Sequence, residues 1–150
     1  MHHVIVGNGP AGVIAAEAVR KLDAEAQITL IGDEPEPPYS RMAIPYFLVN
    51  NIAEEGTYLR KRDGHFDQLG VTLLEDRVVS LSTHDRTLTL EQGGVAAYDR
   101  LLIATGSRAV VPPIPGIDSP GVHACWTLED ARQILRLANA GARVVLIGAG

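Results

Sequence analysis

The sequence predicts an α/β fold: a parallel sheet with an antiparallel β-meander set into it. Three observations carry that prediction. A β-branched run, Val4-Ile5-Val6, leads directly into Gly7-Asn8-Gly9-Pro10-Ala11-Gly12 and then into small apolar residues at helical spacing. A second apolar run, Ile28-Thr29-Leu30-Ile31, follows that helix. Beyond Val71 the pattern changes to short, partly alternating segments separated by polar turns.

The first strand, Val4 to Val6, has the β-branched character of a strand buried on both faces. Gly7, Gly9 and Gly12 then fit G-x-G-x-x-G. In that pattern the first glycine makes the tight turn, the second lets backbone approach a pyrophosphate, and the third lets the helix lie near the strand. Gly12, Ala15, Ala16 and Val19 share one helix face. The N–H groups that open the helix carry about half a positive charge and suit phosphates. A bare hexapeptide of this kind also occurs in glycine turns of unrelated α/β proteins. Here a strand precedes it, a helix follows, and the second strand ends in Gly32-Asp33-Glu34. An acid about 20 residues past the fingerprint is where a ribose hydroxyl is bound. Asp33 and Glu34 both qualify, and sequence does not choose between them. An acid there disfavours a 2′-phosphate, so the expected ligand is an adenosine with free ribose hydroxyls, which FAD and NAD both carry.

Pro35-Glu36-Pro37-Pro38-Tyr39-Ser40-Arg41 is a stiff loop, able to hold the Tyr39 ring and the Arg41 cation beside a ligand. Met42 to Asn50 reads as a short apolar helix, kinked or started late by Pro45. Asp63 is expected to cap a brief helix that runs through Leu69 and stops at Gly70. Val71 to Leu74, Val78 to Ser82, Thr87 to Leu90 and Val95 to Tyr98 read as strands, grouped as the meander. Leu101-Leu102-Ile103-Ala104 reads as a buried strand ending at Thr105-Gly106-Ser107, small residues at the sheet edge where such folds bind ligands. Prolines at 112, 113, 115 and 120 mark a linker. A helix from a Thr127 cap to about Ala140 follows, with Thr127-Leu128-Glu129-Asp130 as a loose capping box. Val144 to Ile147 then reads as a buried strand opening a second G-x-G at Gly148 and Gly150. With no helix after it to cover that strand, the 150 residues are expected to be a fragment of something longer.

Composition narrows the classes. Hydrophobic residues make up 46%, enough for a real core, and the net charge of −5 without a basic run argues against nucleic acid. The apolar runs are strand-sized, so no membrane span is expected, and a fingerprint starting at Gly7 leaves no room for a signal peptide. Cys125 is the single cysteine, which excludes an internal disulfide, a C-x-x-C pair and a cysteine zinc site. The five histidines show no ligand spacing, and no metal is expected. A soluble cytoplasmic protein fits all of this.

The residues resemble the FAD-dependent pyridine nucleotide–disulfide oxidoreductase superfamily, in the branch of ferredoxin and rubredoxin reductases, apoptosis-inducing factor and NADH nitrite reductase. The marks are Gly7-x-Gly9-x-x-Gly12-x-x-x-Ala16, Gly32-Asp33-Glu34, Pro38-Tyr39-Ser40-Arg41, Tyr98 to Ser107, Ile114-Pro115-Gly116, Leu128-Glu129-Asp130-Ala131 and Gly148-Ala149-Gly150. The resemblance implies a Rossmann-like, three-layer FAD-binding fold. It implies that residues 1–110 are the N-terminal part of the FAD-binding domain, 111–122 a linker and 123–150 the truncated start of an NAD(P)-binding domain. Gly7, Gly9, Pro10, Ala11 and Gly12 would hold the FAD pyrophosphate, and Asp33 or Glu34 the ribose. Arg41 would lie by the flavin and Val78 would meet adenine through its backbone. Ala104, Thr105 and Gly106 would line the cleft with Arg108 nearby, and Gly148 and Gly150 would open the NAD(P)H site.

The implied function is the N-terminal part of an FAD-dependent NAD(P)H oxidoreductase, passing electrons from NAD(P)H through FAD to an acceptor such as a small redox protein. No residue here is assigned general acid or base work, because the flavin carries the chemistry. The 150 residues alone are expected to be inactive, and a homodimer is left open. Some departures bear on the acceptor. Ile44-Pro45-Tyr46 stands where relatives carry Leu-Ser-Lys, Met42 where the thiol branch carries its redox cysteine, and Trp126 where an arginine often stands. A non-catalytic dinucleotide-binding module and a single-site NAD-dependent dehydrogenase are the alternatives.

Overall fold

β1 (His2–Val6) is the strand on which the main sheet assembles, and it pairs in parallel with β2 (Gln27–Gly32) on one side and β7 (Arg100–Ile103) on the other. Between β1 and β2 the chain crosses over through α1 (Pro10–Leu22), as a parallel pair requires. β3 (Val71–Glu75) extends the sheet beyond β2, giving the order β3-β2-β1-β7. The structure, a computed structural model, describes residues 1–148.

The two faces of the sheet build two cores. On one face Val13 and Ala16 of α1 pack against Ile5, Ile28, Leu30 and Val71. On the other, Val4 and Ile31 meet Leu88 and Leu90 of a three-stranded antiparallel meander. The meander is formed by β4 (Val78–Ser82), β5 (Thr87–Leu90) and β6 (Val95–Ala97). Helix, parallel sheet and meander are the three expected layers.

Several local expectations are corrected. Val71 to Leu74 belongs to the parallel sheet rather than the meander, because the free edge of β2 takes it in register from Ile28↔Val71 to Gly32↔Glu75. Leu101 to Ala104 is a strand only through Ile103 and is not buried: Ile103 is 62% exposed, since β7 is the outer strand of this sheet among the described residues. Asp63 does not cap α3 (His65–Gln68); its N-cap is Gly64, in a left-handed conformation with no side-chain cap. Residues 144–147 form no strand, and Val145 is 86% exposed. A strand exists only as part of a ladder, and these four residues pair with nothing among the described residues.

The remaining helices follow their local signals. A 3₁₀ turn, Arg41–Ala43, runs into α2 (Ile44–Leu48), and Pro45 falls in the first turn, where its missing N–H costs nothing. α4 (Leu128–Leu137) begins at the Thr127 cap but stops three residues short of Ala140, with Ala138 already extended. Its buried residues Leu128 and Ala131 pack with Ile44 of α2 and the Tyr39 ring. No helix among the described residues is long and apolar enough to cross a membrane.

Candidate functional site

The principal cleft opens at the carboxyl ends of β1, β2 and β7, with a volume of about 280 Å³. That is near the lower end for clefts that take small organic ligands. Its floor is the turn from β1 into α1. Gly7 has φ of +109°, and a Cβ there would run into the backbone of Ala104, so β7 can approach only a glycine. A Cβ on Gly12 would overlap the Gly7 carbonyl, so this glycine closes the turn from beneath and does not line the cleft. Gly9 differs: its would-be Cβ meets nothing within 4 Å and its φ is an ordinary −72°. Gly9 is therefore not needed by the protein's own packing.

α1 begins bare. Gly9 is the N-cap, Pro10 follows, no side chain caps the terminus and no acid lies in the first turn. The unpaired N–H groups of the first turn thus remain for an anion. α4 offers the contrast: Thr127 Oγ1 accepts from Asp130 N at 3.1 Å, and Asp130 Oδ2 accepts from Thr127 N at 2.8 Å.

The cleft gathers the sequence-predicted residues Gly7, Gly9, Pro10, Ala11, Asp33, Glu34, Arg41, Val78, Ala104, Thr105, Gly106 and Arg108 along one wall or another. Gly148 lies apart, exposed and at φ +81°, and Gly150 lies outside the described residues. The structure separates the two acids left open by the sequence. Asp33 Oδ2 pairs with Arg77 Nη2 at 3.0 Å, and its side chain is 41% exposed. Glu34 is only 22% exposed and uses both oxygens: Oε1 accepts from Arg41 Nη2 and Oε2 from the Tyr39 hydroxyl, each at 2.6 Å. Tyr39 also lines the cleft, but most of its ring is covered. It is 7% exposed, packed beneath α4, and its hydroxyl accepts from Leu128 N at 3.3 Å. Burial, then the Glu34 carboxylate, push the Tyr39 phenol up to about 12, so it stays a donor at ordinary pH. Burial works against the charge on Arg41, yet Tyr39 and Glu34 together hold the guanidinium above its ordinary value. Arg41 also lies 5.3 Å from the centroid of the Trp126 ring, and Trp126 Nε1 donates to the Ser107 carbonyl at 3.1 Å.

Sequence reasoning passed over Asn8, Asp76 and Arg77, which also line the cleft. Asp76 is 8% exposed, and its Oδ1 accepts from Arg77 N at 2.7 Å and Gln92 N at 3.3 Å, fixing the corner between β3 and β4. An Asp-Arg pair immediately before Val78 was the available signal.

A bare helix terminus at the mouth of a parallel sheet, with acids at the end of the second strand, defines a Rossmann-like dinucleotide-binding protein. The chain belongs to the pyridine nucleotide-disulphide oxidoreductase family, whose sequence model matches residues 1–150. Members of this family are FAD-binding, NAD(P)H-dependent oxidoreductases. The chain is 35% identical over 150 residues to the ferredoxin reductase component of a chlorobenzene dioxygenase from a Cupriavidus species, covering 99% of this chain and 36% of that protein. It is 32% identical over 149 residues to the assimilatory nitrate reductase electron transfer subunit of Bacillus subtilis, covering 98% of this chain and 19% of that one. Among solved structures, the ferredoxin reductase for the CYP199A2 system of Rhodopseudomonas palustris matches with a TM-score of 0.84 at 28% identity, over 90% of this chain and 33% of that one. Putidaredoxin reductase, in its covalent complex with putidaredoxin, matches with a TM-score of 0.79 at 31% identity, over 91% and 34%. The chain thus spans between about a fifth and about a third of the length of these relatives.

Proposed function

We propose that this chain supplies the FAD-holding cleft of a reductase that takes electrons from NAD(P)H and delivers them through FAD to a small redox protein. The observation that carries this reading is the bare N-terminus of α1 opening into the cleft between β1, β2 and β7. A phosphate placed there meets free N–H groups and the positive end of a helix with no acid in its first turn. The acceptor class comes from the relatives, whose names pair them with ferredoxin and putidaredoxin.

Each part of FAD has residues of suitable chemistry. Gly9, Pro10 and Ala11, with Gly7 and Gly12 shaping the turn, would cradle the diphosphate. An acid at the end of β2 would take the ribose hydroxyls, and the start of β4 at Val78 would meet adenine. Arg41, the Ala104-Thr105-Gly106 turn and Arg108 would flank the flavin half. FAD held there would supply the redox chemistry, hydride and electron transfer between NAD(P)H and the acceptor. The protein's own share is binding, orientation and the positive field of Arg41 and the helix terminus. In this reading residues 1–110 belong to the FAD-binding domain, 111–122 are a linker, and 123–150, with Gly148 and Gly150, begin the NAD(P)H-binding domain.

The test is to titrate FAD into the full-length protein and add NADH, then NADPH, without air. A bound-flavin absorbance bleached by either nucleotide is the expected result, with reoxidation by a ferredoxin-type acceptor. A protein that retains no flavin would overturn the reading.

A further inference from the structure

Glu34 and Asp33 are adjacent in sequence, and either could serve an adenosine ribose on spacing alone. Their surroundings differ. Glu34 Oε1 is held by Arg41 and Oε2 by Tyr39, both at 2.6 Å, so each oxygen already has a short charge-assisted bond. Asp33 spends one oxygen on an exposed partner, Arg77. Arg41 reaches toward the Gly106 turn, with Nη1 3.9 Å from where a Cβ there would lie. Its Nε is buried without a partner among the described residues. A long, half-buried side chain of this kind keeps one rotamer only if something fixes it. Glu34 is that fixture, and Trp126 borders the guanidinium at 5.3 Å from its ring centroid. Tyr39 in turn ties Glu34 to the first N–H of α4 through Leu128 N.

We propose that Glu34 is a positioning residue for Arg41 rather than the ribose acid, and that Tyr39 anchors this pair to α4. The pair thereby links the flavin-side wall of the cleft to the segment that continues toward Gly148. This assignment rests on the reading of the cleft as an FAD site.

The experiment measures FAD affinity by flavin fluorescence in wild type, Glu34→Gln, Arg41→Gln, their double variant, Asp33→Asn and the Asp33→Asn/Arg41→Gln double. AMP, which carries the ribose but no flavin, serves as a second probe. We expect Glu34→Gln and Arg41→Gln each to weaken FAD by about tenfold, with the double variant no worse than Arg41→Gln alone. The effects of Asp33→Asn and Arg41→Gln are independent instead, and Glu34→Gln leaves AMP unchanged. Loss of AMP binding in Glu34→Gln, or independent effects of Glu34→Gln and Arg41→Gln on FAD, would overturn the assignment. A urea-unfolding cycle on Glu34 and Arg41 without ligand gives a second readout: coupling is expected, and additivity would refute the pairing. Tyr39→Phe is expected to lessen that coupling while keeping the buried ring. If wild type binds neither FAD nor AMP, the flavin reading falls and the ribose assignment with it, while the ligand-free cycle still decides whether Glu34 holds Arg41.

Discussion

The three glycines of the first turn serve different masters, and substitution separates them. A methyl on Gly12 would collide with the Gly7 carbonyl, a backbone atom that cannot rotate away. Gly12→Ala should therefore destabilise the fold by about 1–3 kcal/mol, read from urea unfolding. A methyl on Gly9 meets nothing in the protein. Gly9→Ala should leave unfolding within about 0.5 kcal/mol of wild type while FAD affinity falls, because the methyl stands where the diphosphate would approach. A Gly9→Ala variant that unfolds early but binds FAD normally would contradict this division. All three glycines were legible as a motif. Their separate roles were legible too; what each glycine touches was not, because Ala104, far away in sequence, lies over Gly7.

At the scale of elements, local signals fared according to whether their partners were local. The Thr127 box formed as read, since donor and acceptor lie three residues apart. Thr127→Ala should cost about 1 kcal/mol, seen as a lower urea midpoint, and Thr127→Ser should restore most of it. Asp63 failed as a cap because the left-handed Gly64 intervened and became the N-cap itself. Residues 144–147 have the β-branched composition of a buried strand, yet composition supplies only propensity. The hydrogen-bonding neighbour that makes a strand must come from elsewhere in a fold. Val71 to Glu75 shows the converse. Its pattern was read as part of the meander, but the free edge of β2 claimed it.

For the molecule as a whole, α4 is held to the first ninety residues by apolar packing and by Arg132. That guanidinium bonds Glu36 at 2.6 Å and Glu54 at 2.6 and 3.0 Å. The Arg132 hydrogen bonds hold the Glu54 carboxyl below its ordinary value of 4.5. A carboxyl lowered in the folded state contributes stability that is complete above its unfolded value and fades as pH falls through the folded one. Wild type should therefore exceed Arg132→Met in stability at neutral pH, and the gap should narrow as pH drops below about 4.5. Urea unfolding of both proteins from pH 7 to pH 3 checks the sign; a gap that widens with acid would refute it.

The sequence by itself determined the α/β class, the strand–turn–helix fingerprint, the meander and the cofactor-bearing family, because each is written in short-range spacing and small-residue placement. It also named more than half of the residues that line the cleft. Only the tertiary structure decided how those residues divide the work. Glu34 is tied to Tyr39 and Arg41 while Asp33 faces Arg77, and Tyr39, at the margin of the cleft, packs under α4. Adjacent acids look alike along a chain; they differ once folding brings a guanidinium, a buried phenol and a helix terminus to one of them and leaves the other exposed beside a single arginine.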